Sequence, residues 1–335
     1  MLVAFSFLFQ SEAGHFFSYV DWRAVISLTG LLLVSKGISE SGYLSYLAHL
    51  IARTSNTERD LIFKLCLLSA ALGAVVTNDA AVMVIVSLTM SLKGSIDIRK
   101  ATTLEVISAN AGSTLTPIGN PQNLLIWHLW GVSFLQFSIV MVKVVLIQLA
   151  VISILLLTVG KKPVVVTDRE PEVNKILRTV SIVLLIILVV ALDLGLRWVV
   201  LPILIFYAVS YRDVVTKTNW MLILIFVLMF IDFRILASVF GRLLNMSGKD
   251  VFLGSVLASQ LFNNVPAAVL MTEVSNNYPA IVAGVNVGGS GLITASFANL
   301  IAYGMVREKG FVWRYHSLSL IFLVMCVAII YWFVF

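Results

Sequence analysis

The sequence predicts an all-α polytopic membrane protein built as an inverted-topology repeat, with two re-entrant hairpins and two unwound transmembrane helices. Three observations predict it. Of the 335 residues, 60% are hydrophobic and only 12% charged, where an ordinary soluble domain has about one-quarter charged residues. Continuous apolar runs at 132–159, 176–192, 196–211 and 315–335 approach the ~20 residues a helix needs to cross a bilayer, and their continuity argues against alternating barrel strands. Finally, polar landmarks recur in one order in both halves.

From the amino terminus, MLVAFSFLFQ has an apolar core but no preceding Lys or Arg and no clear cleavage site, so 1–19 reads as a truncated N-terminal membrane segment rather than a signal peptide. The first repeat is placed at 20–160. It holds a crossing at 20–36, an interfacial helix at 40–54, and an apolar stretch at 61–90 interrupted at Thr77-Asn78-Asp79. That interruption makes 61–90 a hairpin returning to its own side. A crossing at 101–130 follows, broken by the polar segment Asn110–Asn123, and then the run at 132–159. Residues 161–218 form a connecting loop and scaffold-like helices. The second repeat, 219–335, opens with a crossing at 220–233 and an interfacial segment at 234–249.

The repeat is visible in the polar residues. DWRAVISLTGLLLVSKG at Asp21 resembles NWMLILIFVLMFIDFR at Asn219, TNDAAVMVI at Thr77 pairs with FNNVPAAVL at Phe262, and NAGSTLTPIGNPQNL at Asn110 pairs with NVGGSGLITASFANL at Asn286. In the last pair, Asn110 precedes Asn123 by the same interval that separates Asn286 from Asn299. An odd number of crossings between Trp22 and Trp220 sets the halves in from opposite sides. Most of the 23 Lys and Arg fall on one side of that count, which places the 160–178 loop in the cytoplasm and the C-terminus outside a cell membrane. The net charge of +6 is therefore a topology signal and not a nucleic-acid surface. Cys66 and Cys326 lie within apolar runs, and four scattered His lack ligand spacing, so no metal site and no cofactor are expected.

Polar, helix-breaking residues in a hydrocarbon interior are costly unless they line a site. Each break offers free amides at one half-helix start, suited to an anion, and free carbonyls at the other half's end, suited to Na⁺. Small residues alone can serve close packing. The asparagines bring paired donors and acceptors that packing does not need. The candidate binding set is Thr77, Asn78, Asp79, Asn110, Gly112, Ser113, Thr114, Thr116, Gly119, Asn120 and Asn123 from the first half. From the second half it takes Asn263, Asn264, Asn286, Gly288, Ser290, Thr294, Ser296 and Asn299. Asp79 is the acid expected at the midplane, either as carrier of the coupling ion or as a cap on the helix beginning at Ala80.

TNDAAVMVIVSL followed by SANAGSTLTPIGNPQNLLIW resembles the ion transporter superfamily of divalent-anion/sodium symporters, citrate transporters, arsenite permeases and some sodium/proton antiporters. The resemblance runs from about Val20 onward. It implies that a Ser-Asn-Thr-like tip on each hairpin and a Thr-Pro-x-Gly-x-Pro-x-Asn crossing form the substrate and cation sites. These map to Thr77-Asn78-Asp79, to Asn263-Asn264-Val265 and to Thr116 through Asn123, with Na⁺ at Asn78, Asn120 and Asn264. Also implied are secondary transport of a small arsenite-, oxyanion- or citrate-like anion coupled to H⁺ or Na⁺, or sodium/proton antiport, and an elevator motion against a homodimeric scaffold. A partner ATPase is implied where arsenite is exported. Where the family has several crossings before residue 20, this chain looks N-terminally short. Asp79 stands where the dicarboxylate transporters have Thr, and its charge would repel a dianion.

Three further expectations concern single residues. Lys143 reads as a structural anchor within its crossing, and Asp193 with Arg197 as a surface ion pair. Gly288-Gly289-Ser290-Gly291 with His316 fits a rhomboid-like serine protease, but a nucleophile needs its base within hydrogen-bond reach. His316 is expected near the cytoplasmic end of its helix, away from a deep Ser290.

Overall fold

A computed structural model describes residues 16–92, 94–164, 171–240, 246 and 248–335. The expected N-terminal segment at 1–15, part of the 160–178 loop and part of the 234–249 interfacial segment lie outside the described residues. Helices account for the fold. Among the described residues the sole bridge of β type joins Thr57 to Pro163.

The elements follow the predicted order. A short turn, α1 (Phe16–Tyr19), precedes α2 (Trp22–Glu40), which Asp21 caps through the amides of Arg23 and Ala24. At Gly42, with φ of 76°, the chain bends by 53° into α3 (Tyr43–Arg53). The first hairpin is α4 (Glu58–Val75) and α5 (Asn78–Ser91). The unwound crossing is α6 (Ile98–Ser113) and α7 (Pro121–Trp130), with Asn120 as cap and Pro121 in the first turn of α7, where its missing N–H costs nothing. Next come α8 (Phe134–Leu156), opened by a Ser133/Gln136 capping box, and α9 (Lys175–Asp193). The second half repeats the order: α12 (Trp220–Phe240), a hairpin of α13 (Lys249–Phe262) and α14 (Asn264–Val274), a broken pair α15 (Tyr278–Gly289) and α16 (Phe297–Met305), and α17 (Phe311–Phe333).

Four helices, Phe134–Leu156, Lys175–Asp193, Trp220–Ala237 and Phe311–Phe333, are each long and apolar enough to cross a membrane, and the bent α2/α3 pair can serve as a fifth. The apolar run at 196–211 is a 3₁₀ turn, Arg197–Val199, leading directly into α10 (Val200–Ser210), an apolar helix shorter than the four above, and α11 (Arg212–Lys217) continues it after a turn. One expectation changes. The Asp193–Arg197 pair does not form. Asp193 instead accepts from the Phe134 amide at 2.6 Å, since the free N–H groups at the start of α8 attract a carboxylate. Lys143 points outward from α8.

Packing divides the helices into two groups. Along α2 lie α9, α10 and α11, and the Tyr207 hydroxyl of α10 donates to Ser181 of α9 at 2.8 Å over Gly37. In the other group each hairpin helix α4 and α13 lies along its own half's first broken segment, α6 and α15. A Cβ at Gly112 would run into the Ala70 carbonyl oxygen, and one at Gly284 would stand 2.5 Å from Ser255 Cβ. Glycines therefore set both close approaches. The second hairpin helices exchange partners, with α5 packed on α16 and α14 on α7, so the halves interlock around their breaks.

Candidate functional site

The first hairpin tip is closed by its own polar side chains. Thr77 Oγ1 accepts from the Ala80 amide at 3.4 Å and Asn78 Oδ1 from the Asp79 amide at 3.0 Å, while the Asn78 amide donates to the Gly119 carbonyl at 3.0 Å. At the other end of the break, hydroxyls take the carbonyls α4 leaves free: Thr116 donates to Ala74 O at 2.6 Å and Ser35 of α2 to Val76 O at 3.3 Å. The capping role considered for Asp79 thus belongs to Thr77. Among the described residues the half-buried Asp79 carboxylate has no hydrogen-bond or ion-pair partner.

The breaks themselves, 114–120 and 290–296, are held by matching asparagines. Asn123 donates to the carbonyls of Ser113 and Thr116, both at 2.9 Å. Asn299 donates to those of Gly289 and Leu292, at 2.8 and 3.1 Å. The sequence offsets are the same in both, so each asparagine fastens the loop that precedes its own half-helix. The two halves then cross over. Asn110 Nδ2 donates to Asn299 Oδ1 at 2.9 Å, and Asn286 Nδ2 to Asn123 Oδ1 at 2.6 Å. Asn110 Oδ1 accepts from Asn78 at 2.9 Å and Ser296 at 3.4 Å, whereas Asn286 Oδ1 accepts from Asn120 at 2.7 Å and Gln122 at 3.4 Å. Asn120 also donates to Ser113 Oγ at 2.9 Å. Ser113 and Thr114 return their hydroxyls to the Asn110 carbonyl.

At the second tip Asn263 adopts φ of 81°, the lone positive φ at a non-glycine among the described residues. Asn tolerates that conformation because its side chain bonds locally: Oδ1 accepts from the Val265 amide and Nδ2 donates to Thr294 O at 3.0 Å. Asn264 is buried against Gly289. Of the three positions considered for Na⁺, Asn78 and Asn120 spend their side-chain oxygens on the amides of Asp79 and Asn123. Gly119 and Gly288 serve close approach, to the Ser113 backbone and to Ser259.

Asp79 apart, the asparagines and hydroxyls of the two breaks come together in a closed, uncharged network. No cationic side chain is bonded into it. Thr294 is exposed and Ser290 fully enclosed, its hydroxyl without a partner. His316, near the start of α17 as expected, does reach this region: Nε2 accepts from the Ile293 amide at 3.1 Å. That bond occupies the nitrogen a serine nucleophile would need. Sequence reasoning passed over Gln260, which accepts from the Leu292 amide at 2.8 Å and donates to Gly288 O at 2.7 Å, and Glu105, fully buried in α6. Each is a polar residue inside an apolar run, which was the available signal.

The citrate transporter family matches residues 1–280. The inner membrane protein YbiR of Escherichia coli is 35% identical over 90% of this chain and 84% of its own length. An uncharacterized transporter of Methanocaldococcus jannaschii is 30% identical over 85% of this chain and 81% of its own. The silicon efflux transporter LSI3 of Oryza sativa is 27% identical over 47% of this chain and 32% of its length.

Proposed function

The chain belongs to the citrate transporter family, a multi-pass membrane transporter family, and from that premise we propose that it is a secondary transporter of a small oxyanion or weak oxyacid, arsenite-, silicate- or citrate-like, coupled to H⁺ or Na⁺. The observation that carries this reading is the reciprocal Asn110–Asn299 and Asn286–Asn123 exchange between the breaks. An interlock of two matched, unwound crossings can open on one side while it closes on the other, as alternating access about a repeat interface requires.

The chemistry of the site favours a hydroxyl-rich substrate of low charge. Amides and hydroxyls both donate and accept, so they suit groups such as As–OH or Si–OH, and Asp79 opposes a dianion. The substrate of the rice relative, named for silicon efflux, is consistent with that preference. We assign the coupling ion to Asp79. The 160–178 loop is taken as cytoplasmic, with the second half inverted relative to the first. A second reading, sodium/proton exchange on the same fold, is favoured by the partnerless Asp79 alone.

Uptake into proteoliposomes tests the proposal. Arsenite, silicate or citrate should accumulate above equilibrium under an imposed H⁺ or Na⁺ gradient. Equilibration without accumulation under every gradient points to a passive channel, and Na⁺/H⁺ exchange with none of these substrates taken up points to the antiporter.

A further inference from the structure

A vestibule of about 690 Å³ opens at the start of α6, lined by Glu58, Asp97, Arg99, Lys100, Lys162 and Glu308. Two contacts fix the depth of the helices around it. Arg314 at the start of α17 lies 3.4 Å from Asp97, and Lys100 in the first turn of α6 donates to the Thr158 carbonyl just past the end of α8. Helices α6, α8 and α17 pack on one another below this rim.

Among the described residues, the larger share of the buried side-chain polar atoms that lack a hydrogen-bond partner falls on these helices: Thr102 Oγ1, Glu105 Oε2, both amide atoms of Gln148, Tyr315 OH and Ser319 Oγ. At ~1.5 Å per residue, Tyr315 and Ser319 lie ~2 and ~7 Å along α17 from Arg314, Thr102 and Glu105 ~3 and ~7 Å along α6 from Lys100, and Gln148 ~15 Å along α8 from Thr158. Native interiors satisfy nearly all such atoms, and a concentration of them marks internal water or a ligand. Glu105 is the carboxylic acid among them. It is wholly enclosed, and its other oxygen accepts from Thr89 of α5 at 2.7 Å.

A carboxylate with one hydrogen bond and no cation is expensive in such a place, whereas a carboxylic acid both donates and accepts. The titratable groups on the helices packed against α6 are Glu58, Arg59, Asp60, Lys64 and Cys66 of α4, Asp79 of α5, Lys143 of α8, Tyr278 of α15, Tyr303 of α16, and Arg314, Tyr315, His316, Cys326 and Tyr331 of α17. None is in ion-pair contact with Glu105 among the described residues.

We propose that the Glu105 carboxyl is a proton site, loaded and emptied from the vestibule through internal water held by Thr102, Tyr315, Ser319 and Gln148. The proton released to that water leaves a carboxylate, and the next proton from the vestibule restores the acid. Resting on the transport reading above, the coupling ion is then H⁺ delivered through Glu105 from the vestibule side.

Infrared difference spectroscopy of the full-length protein in liposomes tests the proton site without any substrate. The parent at neutral pH should show the carbonyl band of a protonated carboxylic acid, shifted in D₂O and lost as pH rises. That band should be missing from Glu105→Gln and displaced in frequency in Thr89→Val. A band that survives Glu105→Gln, or does not move in Thr89→Val, belongs to another carboxyl and overturns the assignment. In uptake assays Glu105→Gln should lose at least tenfold of the H⁺-driven accumulation of arsenite, and accumulation at the parental level overturns the coupling role. If the parent takes up no arsenite, silicate or citrate, the transport reading fails while the infrared bands still decide the proton site.

Discussion

Asn286 Nδ2 lies 2.6 Å from Asn123 Oδ1, joining the first segment of the second broken crossing to the second segment of the first. Both residues are buried, and each bonds other groups as well: Asn286 its own Val282 carbonyl, and Asn123 the carbonyls of Ser113 and Thr116. Truncating either leaves buried partners unsatisfied, at about 1–3 kcal/mol for each orphaned group. Asn123→Ala and Asn286→Ala should therefore destabilise by comparable amounts, since the first strands the Ser113 and Thr116 carbonyls and the second strands side-chain amide hydrogens of Asn120 and Gln122. The double variant should fall short of the sum by about 0.5–3 kcal/mol. Denaturation of the purified protein in detergent would measure the cycle, and strict additivity would mean that the amides do not communicate.

Close helix approach makes a second prediction. A Cβ at Gly112 would run into the Ala70 carbonyl, which is backbone and cannot step aside, whereas one at Gly304 would meet nothing within 4 Å. Gly112→Ala should cost at or beyond the upper end of the ~1–3 kcal/mol typical of overpacking. Gly304→Ala should be neutral or slightly stabilising, since alanine favours helix by about 1 kcal/mol over glycine. Thermal melting and the yield of folded protein would separate them. Equal tolerance of both would contradict the α4–α6 contact.

The equal spacing of Asn110–Asn123 and Asn286–Asn299 was legible in the sequence because a repeat preserves intervals. The interlock they form was not. A residue's polarity says that it needs a partner, and only the three-dimensional packing says whether that partner is a ligand or a sister asparagine. Glu105 escaped notice for a related reason: one acid within TTLEVISAN looks like the edge of a crossing until α5 and α17 enclose it.

Accessibility supplies a third prediction. Thr294 is exposed and its carbonyl anchors the second hairpin tip through Asn263, while Ser290, a few residues earlier in the same break, is fully buried. On a background lacking Cys66 and Cys326, Thr294→Cys should react with a membrane-impermeant maleimide, and Ser290→Cys should react at least tenfold more slowly. Arsenite or silicate should protect position 294 if the break lines the substrate path. Labelling of both at one rate would show the break open to water throughout.

The last prediction concerns Asp79. Its carboxylate, half-buried in the first turn of α5, has no side-chain or backbone partner among the described residues, and Thr77 supplies the cap. Replacing it by an amide therefore removes no visible bond. The loss of a favourable helix-dipole interaction, about 0.3–1 kcal/mol, is opposed by relief from desolvating a charge. Asp79→Asn should thus melt within about 1 kcal/mol of the parent and still bind substrate, which a ligand-dependent rise in melting temperature would show. What it should lose is gradient-driven accumulation, because the amide keeps the shape of the acid but can neither exchange a proton nor neutralise Na⁺. A carrier of oxyanions would then equilibrate its substrate without concentrating it, while a sodium/proton exchanger would stop altogether. Parental accumulation by Asp79→Asn across a range of pH would remove Asp79 from the coupling step.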